Sequence, residues 1–153
     1  MKTNHPVFYF ATPEEAESAF YSAFEMGDIQ LMEAVLADDD VCCVHPGAIP
    51  LLGREAVLES WAQILAGEIE PVIYLDVLNR TVFDEVAVHL VNERIASDHQ
   101  PDSPSTVVLA TNVYVRQKNG WRLMEHHASV PNRKPQKEQV DSQTTHEGPH
   151  TLQ

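Results

Sequence analysis

Cysteine is scarce in this chain: two in 153 residues, Cys42 and Cys43, standing side by side. Neighbours on a strand point to opposite faces, so no bridge between them is expected. They read as two small buried hydrophobes of a reducing compartment. Long apolar runs are missing too, and no stretch could span a bilayer. The N-terminus MKTNHPVFYF has no apolar core followed by a small-residue cleavage site, so a cytoplasmic location is expected. Basic residues are few, 10 Lys and Arg against 23 Asp and Glu, for a net charge of −13. Arg133, Lys134 and Lys137 balance Glu138, Asp141 and Glu147 near the C-terminus, so the excess sits on the body. That argues against nucleic-acid and membrane partners. No glycine-rich phosphate loop follows a strand, and no serine or cysteine nucleophile has a recognisable context. No metal-ligand spacing occurs, because the adjacent pair His126-His127 cannot converge on one ion from a strand. No cofactor and no metal are therefore expected.

What is present begins with helices. Residues 1–11 form a short arm bearing Val7-Phe8-Tyr9-Phe10. Thr12-Pro13-Glu14-Glu15 is a capping box with proline at the first helical position. The helix it opens runs to about Met26, with Ala16, Ala19, Phe20, Ala23 and Phe24 on one face, and Gly27 stops it. Asp28 caps a second helix, Ile29 to Leu36. A short strand, Val41 to His45, ends at Pro46-Gly47. Gly53-Arg54-Glu55 opens a third helix to about Ala66, with Trp61 on its apolar face.

From Pro71 the texture becomes strand: Val72 to Val82, then Val86 to Ala96, then a hairpin. Thr106 to Arg116 and Gly120 to Val130 flank an Asn-Gly pair, the strongest short-range hairpin signal. Paired residues share a face, so Ala110, Asn112 and Tyr114 join Leu123, Glu125 and His127 on a polar face. Val107, Leu109, Val113 and Val115 join Met124, His126 and Ala128 on an apolar one. The polar face reads as a cavity floor and the apolar face as a dimer interface. A one-residue bulge would send every side chain beyond it to the other face. With His126 inward, the Glu125–His127 pair would not exist, and catalysis would rank below simple binding. Residues 131–153, polar and proline-bearing, read as a disordered tail. Helices followed by consecutive antiparallel strands make an α+β cone, one domain over 12–130.

The stretches FEMGDIQLMEAVLADDDVCCVHPG (Phe24 to Gly47), LLGREAVLESW (Leu51 to Trp61) and GWRLMEHHAS (Gly120 to Ser129) resemble the nuclear-transport-factor-2-like superfamily with its cystatin-like cone. That superfamily includes ketosteroid isomerases, SnoaL-like polyketide cyclases, scytalone dehydratase and the association domain of calcium/calmodulin-dependent kinase II. The closest likeness is to the SnoaL-like and kinase-association branch, over residues 12 to 130. The resemblance implies a curved sheet wrapped on a long helix around a ligand cavity. The isomerases carry a general base at the position of His45 and oxyanion donors at those of Phe20 and Asn112. All three residues differ here, which argues against steroid isomerisation. Glu93 falls near the pocket arginine of the kinase-association domains, with the opposite charge, so recognition of the same anion is not expected.

The candidate catalytic residues are His45, Glu125 and His127, with Phe20, Trp61, Glu93, Asn112 and Tyr114 lining the pocket. His45 is either a base near neutral pKa or a histidine satisfied by the strand end. Glu125 would have its pKa raised in a dry cone, or simply hydrogen-bond Asn112. The expectation is a homodimeric protein holding a small apolar or amphipathic molecule. Cofactor-free acid/base isomerisation, dehydration or cyclisation is one function, and a non-catalytic binding or assembly module the other.

Overall fold

The computed structural model describes residues 7–68 and 70–132. Helix α1 (Pro13–Met26) starts at its capping box. The Thr12 hydroxyl accepts from the Glu15 amide at 3.1 Å, and the Glu15 carboxylate accepts from the Ala11 amide at 2.7 Å. Gly27, at φ 64°, ends the helix in the left-handed conformation, which costs glycine nothing sterically. Asp28 caps α2 (Ile29–Val35) through the Leu31 amide. Helix α3 spans Arg54–Leu65. At its first residue the Arg54 guanidinium donates to the carbonyls of Glu33, Leu36 and Ala37 at 2.7, 2.9 and 2.8 Å. These are acceptors that the end of α2 leaves without helical partners, so one side chain ties α3 to α2. No helix among the described residues is long and apolar enough to cross a membrane.

Six strands follow or interleave: β1 (Cys42–Val44), β2 (Leu51–Leu52), β3 (Val72–Phe83), β4 (Val86–Ala96), β5 (Ser105–Gln117) and β6 (Gly120–Ser129). They form one curved sheet in the order β2-β1-β6-β5-β4-β3. All pairs are antiparallel except β1 with β6. This is the α+β cone expected. Strand β2, too short to carry an alternation, was not anticipated. The hairpin loop is Lys118-Asn119, since Gln117 pairs with Gly120.

Alternation sets the inner face. Ala87, His89, Val91 and Glu93 of β4 and Val108, Ala110, Asn112 and Tyr114 of β5 are all buried. Helix α1 lies on them through Ala16, Phe20 and Ala23, within a single apolar cluster that also takes in Met32, Val57, Trp61 and Leu123. Two bulges interrupt the ladders. In β3, Val77 pairs with Val91 but Asn79 with Leu90, which leaves Leu78 extra. In β6, Leu123 pairs with Tyr114 but Glu125 with Val113, which leaves Met124 extra.

The arm docks on the start of β6. The Trp121 amide donates to the Phe10 carbonyl at 2.8 Å. A Cβ on Gly120, at φ 93°, would stand 2.5 Å from that carbonyl oxygen, so only glycine allows the approach. The Arg122 guanidinium lies 5.0 Å over the Phe10 ring and donates to the Phe8 carbonyl, a cation–π contact backed by a hydrogen bond. Most of the segment read as a tail, residues 133–153, lies outside the described residues.

Candidate functional site

The Met124 bulge decides which histidine faces inward. Beyond it Asn112 pairs with His126 and Thr111 with His127. His126 is therefore on the inner face and 3% exposed. His127 is exposed and Glu125 half-buried, both on the outer face beside Val113 and Thr111. The expected acid/base pair of Glu125 and His127 on the cavity floor is thus corrected: the extra residue moves both to the other side. The other candidate residues lie toward the interior. Phe20, Trp61, Glu93, Asn112 and Tyr114 are all buried, and His45 is half-buried.

His45 comes from the end of β1 and follows Cys43 on the inward parity. Its Nε2 is 2.6 Å from the Ser60 hydroxyl on α3 and 3.6 Å from the Cys43 sulfur. Burial pushes the His45 pKa below the ordinary value, because the charged form loses solvation. Burial pushes the Cys43 thiol up to about 12, helped by the nearby Cys42 and Glu93, so it is no nucleophile.

Four rings meet around α3. Trp61 lies 5.0 Å from His45, 5.8 Å from His126 and 5.4 Å from Phe20, centroid to centroid. His45 and His126 are 6.5 Å apart. The Trp61 indole nitrogen is buried and has no hydrogen-bond partner among the described residues. A buried donor left unpaired is costly and uncommon.

Behind His126 runs a chain of polar side chains. Its Nδ1 is 2.5 Å from the Asn112 carbonyl oxygen. The Asn112 amide donates to the Tyr21 hydroxyl at 2.8 Å, and Tyr21 donates to Glu93 at 2.6 Å. Burial, with smaller contributions from His45 and His127, drives the His126 pKa down to about 3, so the ring is uncharged at neutral pH. Burial raises the Glu93 carboxyl to about 7 against the pull of the Tyr21 hydrogen bond. The Tyr21 hydroxyl rises well above its usual value, mainly from burial and the neighbouring Glu93.

A second cluster lies one turn earlier on α1. Glu17 accepts from Arg80 and pairs with His89 Nδ1, each at 2.6 Å. Burial works to raise the Glu17 carboxyl, but hydrogen bonds and charge from His89 and Arg80 outweigh it and its pKa falls. His89 Nε2 and the Tyr114 hydroxyl are buried without partners among the described residues, with ring centroids 4.9 Å apart.

Sequence reasoning did not single out Tyr21, Glu17, His89 or Ser60, and it assigned His126 to the outward apolar face. Strand parity held the signal for His89, two and four positions from the buried Val91 and Glu93. Tyr21 and Glu17 follow Phe20 and Ala16 on α1, at the margin of its apolar face. Among the described residues no three His, Cys, Asp or Glu side chains gather as a metal ion would require.

A cleft of about 370 Å3 lies outside this cluster, between the C-terminal ends of α1 and α3. Its rim carries Glu25, Glu68 and Glu70, and its wall includes Phe24. The Phe24 ring also packs on Trp61 at 5.1 Å, so a single side chain separates the cleft from the four-ring cluster.

Residues 14–133 match the family model described as SnoaL-like domain. No functionally curated protein matches the chain. A crystal structure from Thiobacillus denitrificans, named as a candidate calcium/calmodulin-dependent protein kinase type II association domain, is 37% identical. It superposes with a TM-score of 0.75 over 82% of this chain and 99% of that one. A candidate dehydratase of the NTF2-like family from Streptomyces avermitilis is 34% identical, with a TM-score of 0.67 over 76% of this chain and 91% of that one. A ketosteroid isomerase-like protein from Erwinia carotovora atroseptica, 13% identical with a TM-score of 0.61 over 86% of this chain and 99% of that one, shares the fold alone.

Proposed function

The chain belongs to the SnoaL-like domain family, and from that premise we propose that it binds a small uncharged molecule inside the cone, against His45, Trp61 and His126. The observation that carries this reading is the buried Trp61 N–H without a partner, set among Phe20, His45 and His126. A ligand oxygen would satisfy it, and the aromatic rings would cover the ligand's apolar surface. Charge supports an uncharged ligand. Burial holds both histidines toward the neutral form, and the cleft on the far side of Phe24 is rimmed by glutamates. An anion would meet no positive group there.

Binding without turnover ranks first, because the pair expected to run catalysis faces outward. Acid/base turnover on His45 is the second reading. It is favoured by the half-buried, uncharged imidazole held on Ser60 at 2.6 Å and by the candidate dehydratase among the relatives. Native mass spectrometry of protein purified without added ligand tests the first reading. A retained adduct lost in Trp61→Phe, which deletes the N–H and keeps an aromatic ring, is the expected result. No adduct, together with no thermal shift across a panel of neutral cyclic alcohols and ketones, defeats it. Turnover with a bell-shaped pH–rate profile would reverse the ranking.

The outer face of the sheet is apolar along Val88, Leu90, Leu109, Val113 and Val115, and none of them is fully buried. The three helices pack on the other face. We read this surface as the contact between two copies of the chain, since an open patch of this kind invites association. Val113→Lys should shift the protein from dimer to monomer or aggregate in light scattering. A wild-type protein that is monomeric at micromolar concentration rules the reading out.

A further inference from the structure

The side chains between Glu93 and His126 form a line in which each hydrogen bond constrains the next. Above about pH 7, where the Glu93 carboxyl is ionised, it only accepts, so the Tyr21 hydroxyl must spend its single proton on it. The Tyr21 oxygen then accepts, and the group that donates to it is the Asn112 NH2. That orientation turns the Asn112 carbonyl toward His126. A carbonyl only accepts, so the proton must be on His126 Nδ1. In a neutral imidazole Nε2 is then a bare lone pair. The two nitrogens leave the ring on opposite sides. Nδ1 is spent on Asn112 of β5, and the His126 ring stands 6.5 Å from that of His45 and 5.8 Å from that of Trp61.

We propose that Glu93, Tyr21 and Asn112 are positioning residues that fix His126 as its Nδ1–H tautomer, and that the site consequently selects a neutral ligand bearing a hydroxyl group, an alcohol, enol or phenol, which donates to His126 Nε2 and accepts from Trp61 Nε1. This rests on the binding reading above and names its substrate class. A hydroxyl is the smallest neutral group that answers a fixed acceptor and a fixed donor together. A ketone or ether could satisfy Trp61 but would set a lone pair against a lone pair at His126. A carboxylate would do the same with a charge added, in surroundings that hold no cation.

The tautomer can be read without any ligand. Long-range 1H–15N spectra of histidine-labelled protein at pH 8, with His126 assigned by its loss in His126→Gln, should show Nδ1–H. Tyr21→Phe keeps the ring and cuts the line between Glu93 and Asn112, and it should shift the signal toward the Nε2–H form. An Nε2–H or doubly protonated ring in the wild type overturns the proposal, as does an unchanged tautomer in folded Tyr21→Phe. The selectivity is read by titrating phenol, anisole and benzoate and following their NMR line widths. Phenol should bind, anisole about tenfold more weakly for the lost hydrogen bond, and benzoate not at all. Equal binding of phenol and anisole defeats the hydroxyl requirement while leaving the binding reading in place. No binding of any of the three, together with the expected tautomer, defeats the ligand class and the binding reading but spares the positioning line.

Discussion

Gly120–Leu123 and Glu125–Ser129 are one strand by hydrogen bonding and two by side-chain direction. In the first stretch the odd positions, Trp121 and Leu123, turn to the core. In the second the even positions do, His126 and Ala128. One extra residue, Met124, separates two stretches of the same strand paired to the same neighbour. A bulge therefore assigns function here: it hands the interior to one histidine of an adjacent pair and the solvent to the other.

A charge on the inward side of the second stretch should break this comparison most severely. Ala128 is buried on that side, and Ala128→Asp puts an unpaired carboxylate into the core. The loss should be about 3–5 kcal/mol, the range reached when unpaired charge is forced into a core. Circular dichroism should show an unfolded or aggregated chain, and a cooperative native-like melt would refute the two-stretch description. A smaller loss belongs to the start of the strand. Gly120→Ala places a Cβ against the Phe10 carbonyl, at a cost on the order of 2–4 kcal/mol in urea denaturation.

The two histidines sharpen the contrast directly. His126→Ala should lose about 2–4 kcal/mol, from a cavity beside Phe20 and an orphaned Asn112 carbonyl. His127→Ala should change stability by less than about 0.5 kcal/mol. Similar losses in the two variants would contradict the register.

The legibility of the sequence divides along the same line. Thr12, Gly27, Asp28 and the Asn119-Gly120 turn act on backbone within a few residues of themselves, so the helices and the hairpin could be read locally. The inward parity of β5 was equally readable, because nothing interrupts it. The bulge was not, since Met124 is neither glycine nor proline and has no turn chemistry of its own. Its trace is a change of phase: apolar Trp121 and Leu123 at odd positions, apolar Ala128 at an even one. Asn112, Trp61, Phe20 and Glu93, expected at the pocket, are buried. Their partner Tyr21 was missed, because a hydrogen-bond line across α1, β4, β5 and β6 has no signature in any one element, and His126 was assigned outward because the bulge was not read.

The smallest expected effect concerns pH. Glu93 has its carboxyl raised from the ordinary 4.5 to about 7. The stability tied to its proton is present below about 4.5 and lost as pH rises through 7. His126, lowered to about 3, acts at the other end: its contribution is present above the ordinary 6.5 and lost as pH falls through 3. Glu93→Gln removes only the alkaline term. Its stability relative to wild type should improve between pH 5 and pH 8 by on the order of 2 kcal/mol. A constant difference across that range would mean that Glu93 does not titrate there.

Strand β3 closes one side of the sheet, with β4 as its only partner among the six strands. A free edge of 12 residues presents a row of unused amides and carbonyls on which another chain could continue the sheet. The extra Leu78 breaks the rhythm of that row near its middle. Asp76 and Arg80 flank the break with charge, and both are exposed. A strand approaching this edge would find its register lost halfway along and charged side chains to displace. The same device that sorts the histidines in β6 thus interrupts, on β3, the row of amides and carbonyls that an added strand would need.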